Sequence, residues 1–250
     1  MHLCGTPEQI ILKCGQSGIS WLAIHMDSVT TELVKTFHDA GLYVGAWKYC
    51  VPGDDFIDHA ILCARSGCDA ILPDCEIEWE AVKNSEGLLV PTDRRAEAAA
   101  FAKSLRDALS DPSTGTPTVF IGNCGAWQFP DSHPFYPDHS FGAEWDAGLV
   151  ERYWTMLNAP AAQSLQKSES QWGNALNAGA YKRIIPIGSA FDGRGQGGSN
   201  VTAEDVEMFL NRQETCALWS WQHLPAEVWA MLARRAAAQV STLPPSAPPA

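Results

Sequence analysis

The sequence predicts an α/β fold, specifically a TIM-like (β/α)8 barrel whose first strand is short or truncated. Two patterns support this prediction: runs rich in β-branched and aromatic residues alternate with helical patterns, and Gly, Pro or Asp bounds most of them. The chain has 250 residues, of which 46% are hydrophobic, and this is enough for one large core. We therefore expect a single barrel domain over residues 1–240, followed by a Pro-rich tail or linker over 241–250.

Seven segments have the composition of buried strands, and helical patterns lie between most of them. The helices carry end signals, such as an N-cap candidate at Ser28 and a terminating glycine at Gly41. The opening "MHLCG" could be the end of an eighth strand. The predicted strands are 19–26, 42–50, 69–78, 116–125, 149–157, 183–191 and 216–224, and the predicted helices are 7–18, 28–41, 54–67, 93–110, 161–179, 202–213 and 225–238.

Two connecting segments do not have the pattern of a helix or a strand. Residues 81–92 form a polar loop with Gly87 and Pro91. Residues 126–148 are rich in aromatic residues, Pro, Asp and His, too irregular for a regular element and too apolar for a passive linker. Long ordered loops of this kind are often functional, so we expect the second segment to border a site.

The charge of the chain excludes several kinds of partner. A net charge of −12 would repel nucleic acid and anionic membrane surfaces, so we expect neither as a partner, and a neutral or cationic ligand suits the chain better. The chain contains no run of 18 apolar residues, and its start lacks the pattern of a signal peptide. We expect a soluble protein, and the sequence leaves its location open.

The eight cysteines do not form a recognisable metal or redox motif. They include no CxxC pair, and a chain of this size does not need a disulfide framework, so we expect them to be reduced. Cys75 alternates with Asp74 and Glu76 along its strand, which predicts that it points towards the helices. We expect no metal and no cofactor.

The ends of the predicted strands carry the candidate functional residues, because the active sites of such barrels lie at the C-terminal ends of the strands. Several of these residues are aromatic and could stack on sugar rings, while Asn123 and Gln222 could hydrogen-bond sugar hydroxyls. Phosphate chemistry is disfavoured, since the glycine-rich segment 192–200 lacks a P-loop motif. The predicted substrate-binding residues are Asp27, Trp47, Lys48, Asn123, Trp127, Glu151, Tyr153, Asp192, Trp219, Trp221 and Gln222.

The segment "DAILPDCEIEWE" places acidic residues directly after a buried strand. Period-two spacing puts Asp74 and Glu76 on one face of the strand, at the mouth of the barrel. Two neighbouring carboxyls cannot both ionise easily, so one keeps its proton, and such a pair can hydrolyse a glycosidic bond. We therefore predict Glu76 and Asp74 as catalytic residues, and we expect Glu78 and Glu80 to be solvated loop acids.

The motifs "DCE" at 74–76, "ERYW" at 151–154 and "LWSWQ" at 218–222 resemble those of glycoside hydrolase family 25, the lysozyme-like muramidases, and of related bacterial glycosidase-like barrels. This resemblance implies a hydrolase of polysaccharides, with peptidoglycan as a candidate substrate. It implies Glu76 as general acid and Asp74 as its partner. Those enzymes also carry an aspartate at the end of the first strand, which "MHLCG" lacks, and Glu151 or Asp192 could supply the missing charge.

Two other functions are compatible with the same residues. A barrel without the complete set of acids could be a carbohydrate-binding or structural module that has no catalytic activity. The clustered acids together with His25 could instead hold a divalent ion and form a metal-dependent hydrolase, which would require three or more ligands.

Overall fold

The computed structural model describes residues 5–157, 159–191, 193 and 199–241. Its main sheet has seven parallel strands in the spatial order β1-β2-β3-β6-β7-β8-β9. These strands are β1 (Trp21–His25), β2 (Tyr43–Cys50), β3 (Ala70–Cys75), β6 (Phe120–Ala126), β7 (Ala147–Arg152), β8 (Ile184–Ser189) and β9 (Ala217–Trp219). The predicted fold class, a TIM-like α/β barrel, is confirmed.

Eight α-helices accompany the sheet in the described part of the chain. They are α1 (Pro7–Ser17), α2 (Thr31–Asp39), α3 (Phe56–Arg65), α4 (Arg95–Ser110), α5 (Asp138–Glu144), α6 (Ala161–Asn177), α7 (Ala203–Asn211) and α8 (Ala226–Ser241). Local signals explain where several begin. Thr6 and Gln9 form a reciprocal capping box at the start of α1, and Thr30 and Thr202 cap α2 and α7.

The alternation of side chains along the strands separates two apolar regions. One face packs against the helices, where Cys50 and Cys75 are both fully buried. The other face fills the inside of the curved sheet with a cluster that includes Leu72, Leu149 and Ile187. The side chains of β3 therefore point as predicted, with Cys75 towards the helices. The seven cysteines in the described residues are free thiols.

Within the described residues, β1 and β9 are the two edges of the sheet and are not paired with each other. Helices α1 and α8 pack together next to this gap, and Gly18 at the end of α1 approaches Ala236 of α8 closely. The expectation that "MHLCG" supplies an additional strand falls mostly on residues 1–4, which lie outside the described residues.

Several sequence expectations need correction. Residues 81–91 include a small antiparallel hairpin, β4 (Ala81–Lys83) with β5 (Leu89–Pro91), instead of a plain loop. The aromatic segment 126–148 contains the helix α5, because its Phe141 packs into the core against Trp145 and Trp79. The strands predicted at 149–157 and 216–224 are shorter, and each is followed by a 3-10 turn.

Candidate active site

A cavity of about 870 Å³ opens at the C-terminal ends of the strands and continues along the gap between β1 and β9. Its polar lining at the strand ends includes Asp74, Glu151 and Tyr153, and its aromatic lining includes Trp47 and Trp219. Apolar side chains from the inner face of the sheet form much of its wall. The cavity therefore lies at the C-terminal ends of the strands, the region in which the sequence analysis looked for candidate residues.

Three carboxyl groups converge at this end of the barrel. Asp74 from β3, Glu76 directly after β3, and Glu151 from β7 each offer a carboxyl oxygen, and these oxygens lie within 4.8 Å of one another. All three side chains are half-buried. The predicted pair is thus on one face of its strand, and a third carboxyl joins it from across the sheet.

Burial and mutual repulsion favour the protonated forms of these carboxyls. Burial, followed by the charge of Glu76, raises the pKa of Asp74 to about 7. Burial, followed by the charges of Asp74 and Glu76, raises the pKa of Glu151 well above its ordinary value. Burial and the neighbouring Glu78 also raise the pKa of Glu76. At neutral pH the cluster therefore carries fewer than three negative charges.

Neighbouring side chains hold the cluster in position. The Tyr153 hydroxyl donates a hydrogen bond to Glu151 Oε1 at 3.2 Å. The Tyr49 hydroxyl donates a hydrogen bond to Glu78 Oε2, so that Glu78 is held beside Glu76. Sequence reasoning missed Tyr49, although its period-two spacing from Trp47 was a signal that the two residues share a face.

Aromatic side chains form one side of the cavity. Trp47 makes edge-to-face contacts with His25 and with Trp219, at ring-centroid distances of 5.0 and 4.9 Å. The side chain of Trp219 is 37% exposed and is available to a ligand. Further cavity-lining residues that the sequence predicts are Asp27, Trp221 and Gln222.

Three predicted substrate-binding residues lie away from the cavity. Lys48 points to the helix side of β2, where its Nζ lies 3.3 Å from His59 Nδ1. Asn123 is fully buried, and its amide nitrogen donates to the hydroxyls of Tyr136 and Tyr181. The ring of Trp127 stacks on that of His133 at 4.3 Å. Their predicted contact with substrate finds no support in this placement.

Two further predictions concern loop residues. Asp192 lies outside the described residues. Glu80 is not a solvated loop acid, because it is buried and its Oε1 lies 2.5 Å from His133 Nδ1. Glu80 therefore anchors the segment 126–148 to the loop after β3.

The donor set of the cluster is also compatible with a metal ion. Carboxylate oxygens are the ligands that Mg²⁺ and Ca²⁺ prefer, and Asp74, Glu76 and Glu151 offer three of them. His25 does not belong to this group. A ligating carboxyl must lose its proton, and the pKa values of the three acids are raised, so a metal ion would bind here more tightly as the pH rises.

Comparisons with known proteins show the fold. No family model matches the sequence, and no curated protein matches it. A β-glucuronidase from Bifidobacterium dentium, solved with coumarin-3-O-glucuronide, aligns with a TM-score of 0.56 and 9% identity over 92% of this chain and 42% of its own. A β-D-glucuronidase from Dictyoglomus thermophilum gives 0.55 and 12% over 95% and 47%.

A third similar structure has a different chemistry. A putative deoxyribose-phosphate aldolase from Coccidioides immitis aligns with a TM-score of 0.56 and 13% identity, over 94% of this chain and 81% of its own. The chain spans less than half the length of the two glucuronidases.

None of the described helices is both long and apolar enough to cross a bilayer. The comparisons give no specific support to glycoside hydrolase family 25, and at these identities they show that the chain has the TIM-barrel fold.

Proposed function

We propose that this protein is a glycoside hydrolase that cleaves a polysaccharide at the carboxyl cluster of Asp74, Glu76 and Glu151. The observation that carries the proposal is the convergence of these acids, with the pKa of Asp74 at about 7, beside an open cavity that Asp74, Glu151 and several tryptophans line. A glycosidase needs one carboxyl that is protonated near neutral pH and a second that is ionised beside it.

The spacing of the carboxyls favours a retaining mechanism. The nearest oxygens of Asp74 and Glu76 lie within 4.8 Å. Retaining enzymes separate their two carboxyls by about 5–5.5 Å, whereas inverting enzymes need about 6.5–9.5 Å to admit a water molecule. The cluster is therefore too close for a water to attack between its members.

Burial suggests which acid has which role. Asp74 holds its proton up to a pH of about 7, so it donates that proton to the glycosidic oxygen as the bond to the anomeric carbon breaks. Glu76 acts as the nucleophile: its carboxylate form attacks the anomeric carbon to form an ester. The Asp74 carboxylate then takes a proton from water, whose oxygen releases the sugar from Glu76. This assignment reverses the roles that the family resemblance implies.

The remaining cavity residues fit the binding of a sugar chain. Trp47 and Trp219 present apolar ring faces and edges, which suit the C–H faces of pyranose rings. Gln222 and Tyr153 offer polar groups beside them. Burial and the neighbouring acids raise the pKa of Glu151 well above its ordinary value, which favours its neutral form beside the catalytic pair.

The first experiment assays the wild-type protein and the Glu76→Gln variant on peptidoglycan and a panel of glycans, each with and without EDTA. The proposal predicts turnover that survives EDTA and is lost in the variant. Binding without turnover in either protein would instead indicate a non-catalytic carbohydrate-binding module.

A metal-dependent hydrolase is the second candidate, because three carboxyl oxygens within 4.8 Å of one another could hold a divalent ion. This candidate predicts that EDTA abolishes turnover and that Mg²⁺, Ca²⁺ or Mn²⁺ restores it. Titration of the EDTA-treated protein with these ions, after the EDTA is removed, would measure binding at the cluster without depending on activity.

A further inference from the structure

A second cavity, of about 440 Å³, lies on the helix side of the sheet between α6 and α7. Its polar lining consists of Arg152, Glu169, Arg212 and Gln213, and its apolar lining includes Trp172 and Leu176. Arg152 directly follows Glu151 in β7, so its side chain leaves the opposite face of the strand from the catalytic cluster.

The guanidinium of Arg152 makes few hydrogen bonds to the described part of the protein. Its side chain is only 5% exposed, and its hydrogen bond to Glu169 Oε1 is long, at 3.4 Å. Its Nε is buried and has no hydrogen-bond partner in the described residues. A guanidinium has five N–H donors, and leaving them unpaired inside a protein costs stability. A ligand that accepts hydrogen bonds in the cavity would relieve this cost.

The charges around the cavity do not balance. Glu169 is the shared acceptor of the group: its Oε1 also accepts from Gln213 Nε2 and its Oε2 from Arg212 Nη1, both at 3.2 Å. Two cationic side chains thus face one carboxylate. The lining carries one excess positive charge in a chain whose net charge is −12.

We propose that this cavity binds a small oxyanion, a carboxylate or a phosphate, between Arg152 and Arg212. The planar guanidinium matches the paired oxygens of either group, and such charge-assisted hydrogen bonds are among the strongest in proteins. One bound monoanion balances the excess charge of the lining. The apolar floor formed by Trp172 and Leu176 leaves room for a short hydrocarbon part on a carboxylate ligand.

The test is isothermal titration of the full chain with inorganic phosphate, acetate and butyrate at constant ionic strength set by chloride. We expect saturable binding of phosphate or of a carboxylate at millimolar concentrations or below. Tighter binding of phosphate, or of butyrate over acetate, identifies which of the two oxyanions the cavity takes. If the heats of titration with phosphate, acetate and butyrate all equal the heats of titration with chloride alone, the proposal is wrong.

Two variants locate the binding. Arg212→Gln is expected to weaken it roughly tenfold or more, because one charge-assisted contact is lost, and Arg152→Lys is expected to weaken it while keeping the charge. The control is Arg234→Gln, which removes the same charge from the exposed face of α8. Equal affinities in Arg212→Gln and Arg234→Gln would overturn the proposal. A melting curve of each variant confirms that it is folded before titration.

Discussion

The carboxyl groups of Asp74 and Glu151 meet across an intervening strand. Asp74 is on β3 and Glu151 is on β7, and β6 lies between these strands in the sheet, yet oxygens of the two residues lie within 4.8 Å. Strands two positions apart are separated by about 9–10 Å in a flat sheet. The curvature of the sheet and the small side chain of Cys124, which lines the cavity from β6, allow the two carboxyls to approach each other.

This arrangement predicts that the size of residue 124 controls activity. Cys124→Leu is expected to separate Asp74 from Glu151 and to lower kcat/KM by roughly a hundredfold, about 2.7 kcal/mol of transition-state stabilisation. Cys124→Ala leaves the space open and is expected to stay within a few fold of wild type. Equal activity of the two variants would show that the approach of the carboxyls does not matter.

The raised pKa of Asp74 predicts a dependence of stability on pH. The folded state holds this proton up to a pH of about 7, whereas the unfolded chain releases it near 3.8. Between these values the folded state binds more protons, so the free energy of unfolding falls as the pH rises from about 4 to 7. Asp74→Asn is expected to reduce this fall by up to about 4 kcal/mol. Urea unfolding of wild type and Asp74→Asn at several pH values measures this change in the free energy of unfolding.

Asp138 provides a matched control for this prediction. Its pKa is also raised to about 7 by burial, but it does not line the cavity. Asp138→Asn is therefore expected to reduce the same fall in stability while leaving kcat unchanged. A loss of kcat in Asp138→Asn as large as that in Asp74→Asn would contradict the assignment of Asp74.

The exposed ring of Trp219 is expected to act in binding more than in folding. Trp219→Ala should raise the KM for an oligosaccharide roughly tenfold, equivalent to about 1.4 kcal/mol, because a stacking surface is lost. Trp145 serves as the comparison, because it is fully buried and stacked on Phe141. Trp145→Ala should destabilise the fold by about 3–5 kcal/mol. A KM for Trp219→Ala equal to that of wild type would remove Trp219 from the sugar site.

Gly125 is expected to be essential for the position of β3. A Cβ on Gly125 would lie 2.3 Å from the carbonyl oxygen of Cys75, the residue between Asp74 and Glu76. Gly125→Ala should therefore cost about 1–3 kcal/mol of stability and also lower activity, since β3 must shift. Gly15→Ala is the control, because α1 leaves space there. If thermal unfolding shows equal stability for both variants, the structure accommodates the added methyl group, and the contact between Gly125 and Cys75 does not fix the position of β3.

Much of the fold was predictable because the core strands follow simple patterns. Short apolar runs bounded by Gly, Pro or Asp identified all seven strands of the main sheet, and period-two spacing placed Asp74 and Glu76 on one face and Cys75 on the other. These features depend on near neighbours in the chain. The helix α5 could not be predicted in this way, because it forms through tertiary packing of Phe141 with Trp145 and Trp79.

The site was only partly predictable, for a related physical reason. The sequence indicated that Glu151 ends a strand, but the register and curvature of the sheet bring it to Asp74. Asn123 was predicted to lie at a strand end, but it lies within β6, and its side chain points away from the cavity towards Tyr136 and Tyr181. Glu80 looked like a solvated loop acid, because its partner His133 is distant in the sequence.

The central claim is that Asp74 donates the proton and Glu76 attacks the anomeric carbon. It is tested most directly by comparing aryl glycosides with good and poor leaving groups in wild type, Asp74→Asn and Glu76→Gln. We predict that Asp74→Asn retains the step that releases a good leaving group but loses activity on poor ones, and that azide restores its turnover as a β- or α-glycosyl azide of retained configuration. We predict that Glu76→Gln loses both. The opposite pattern would assign the proton to Glu76, and full activity in both variants would contradict the carboxyl cluster as the catalytic site.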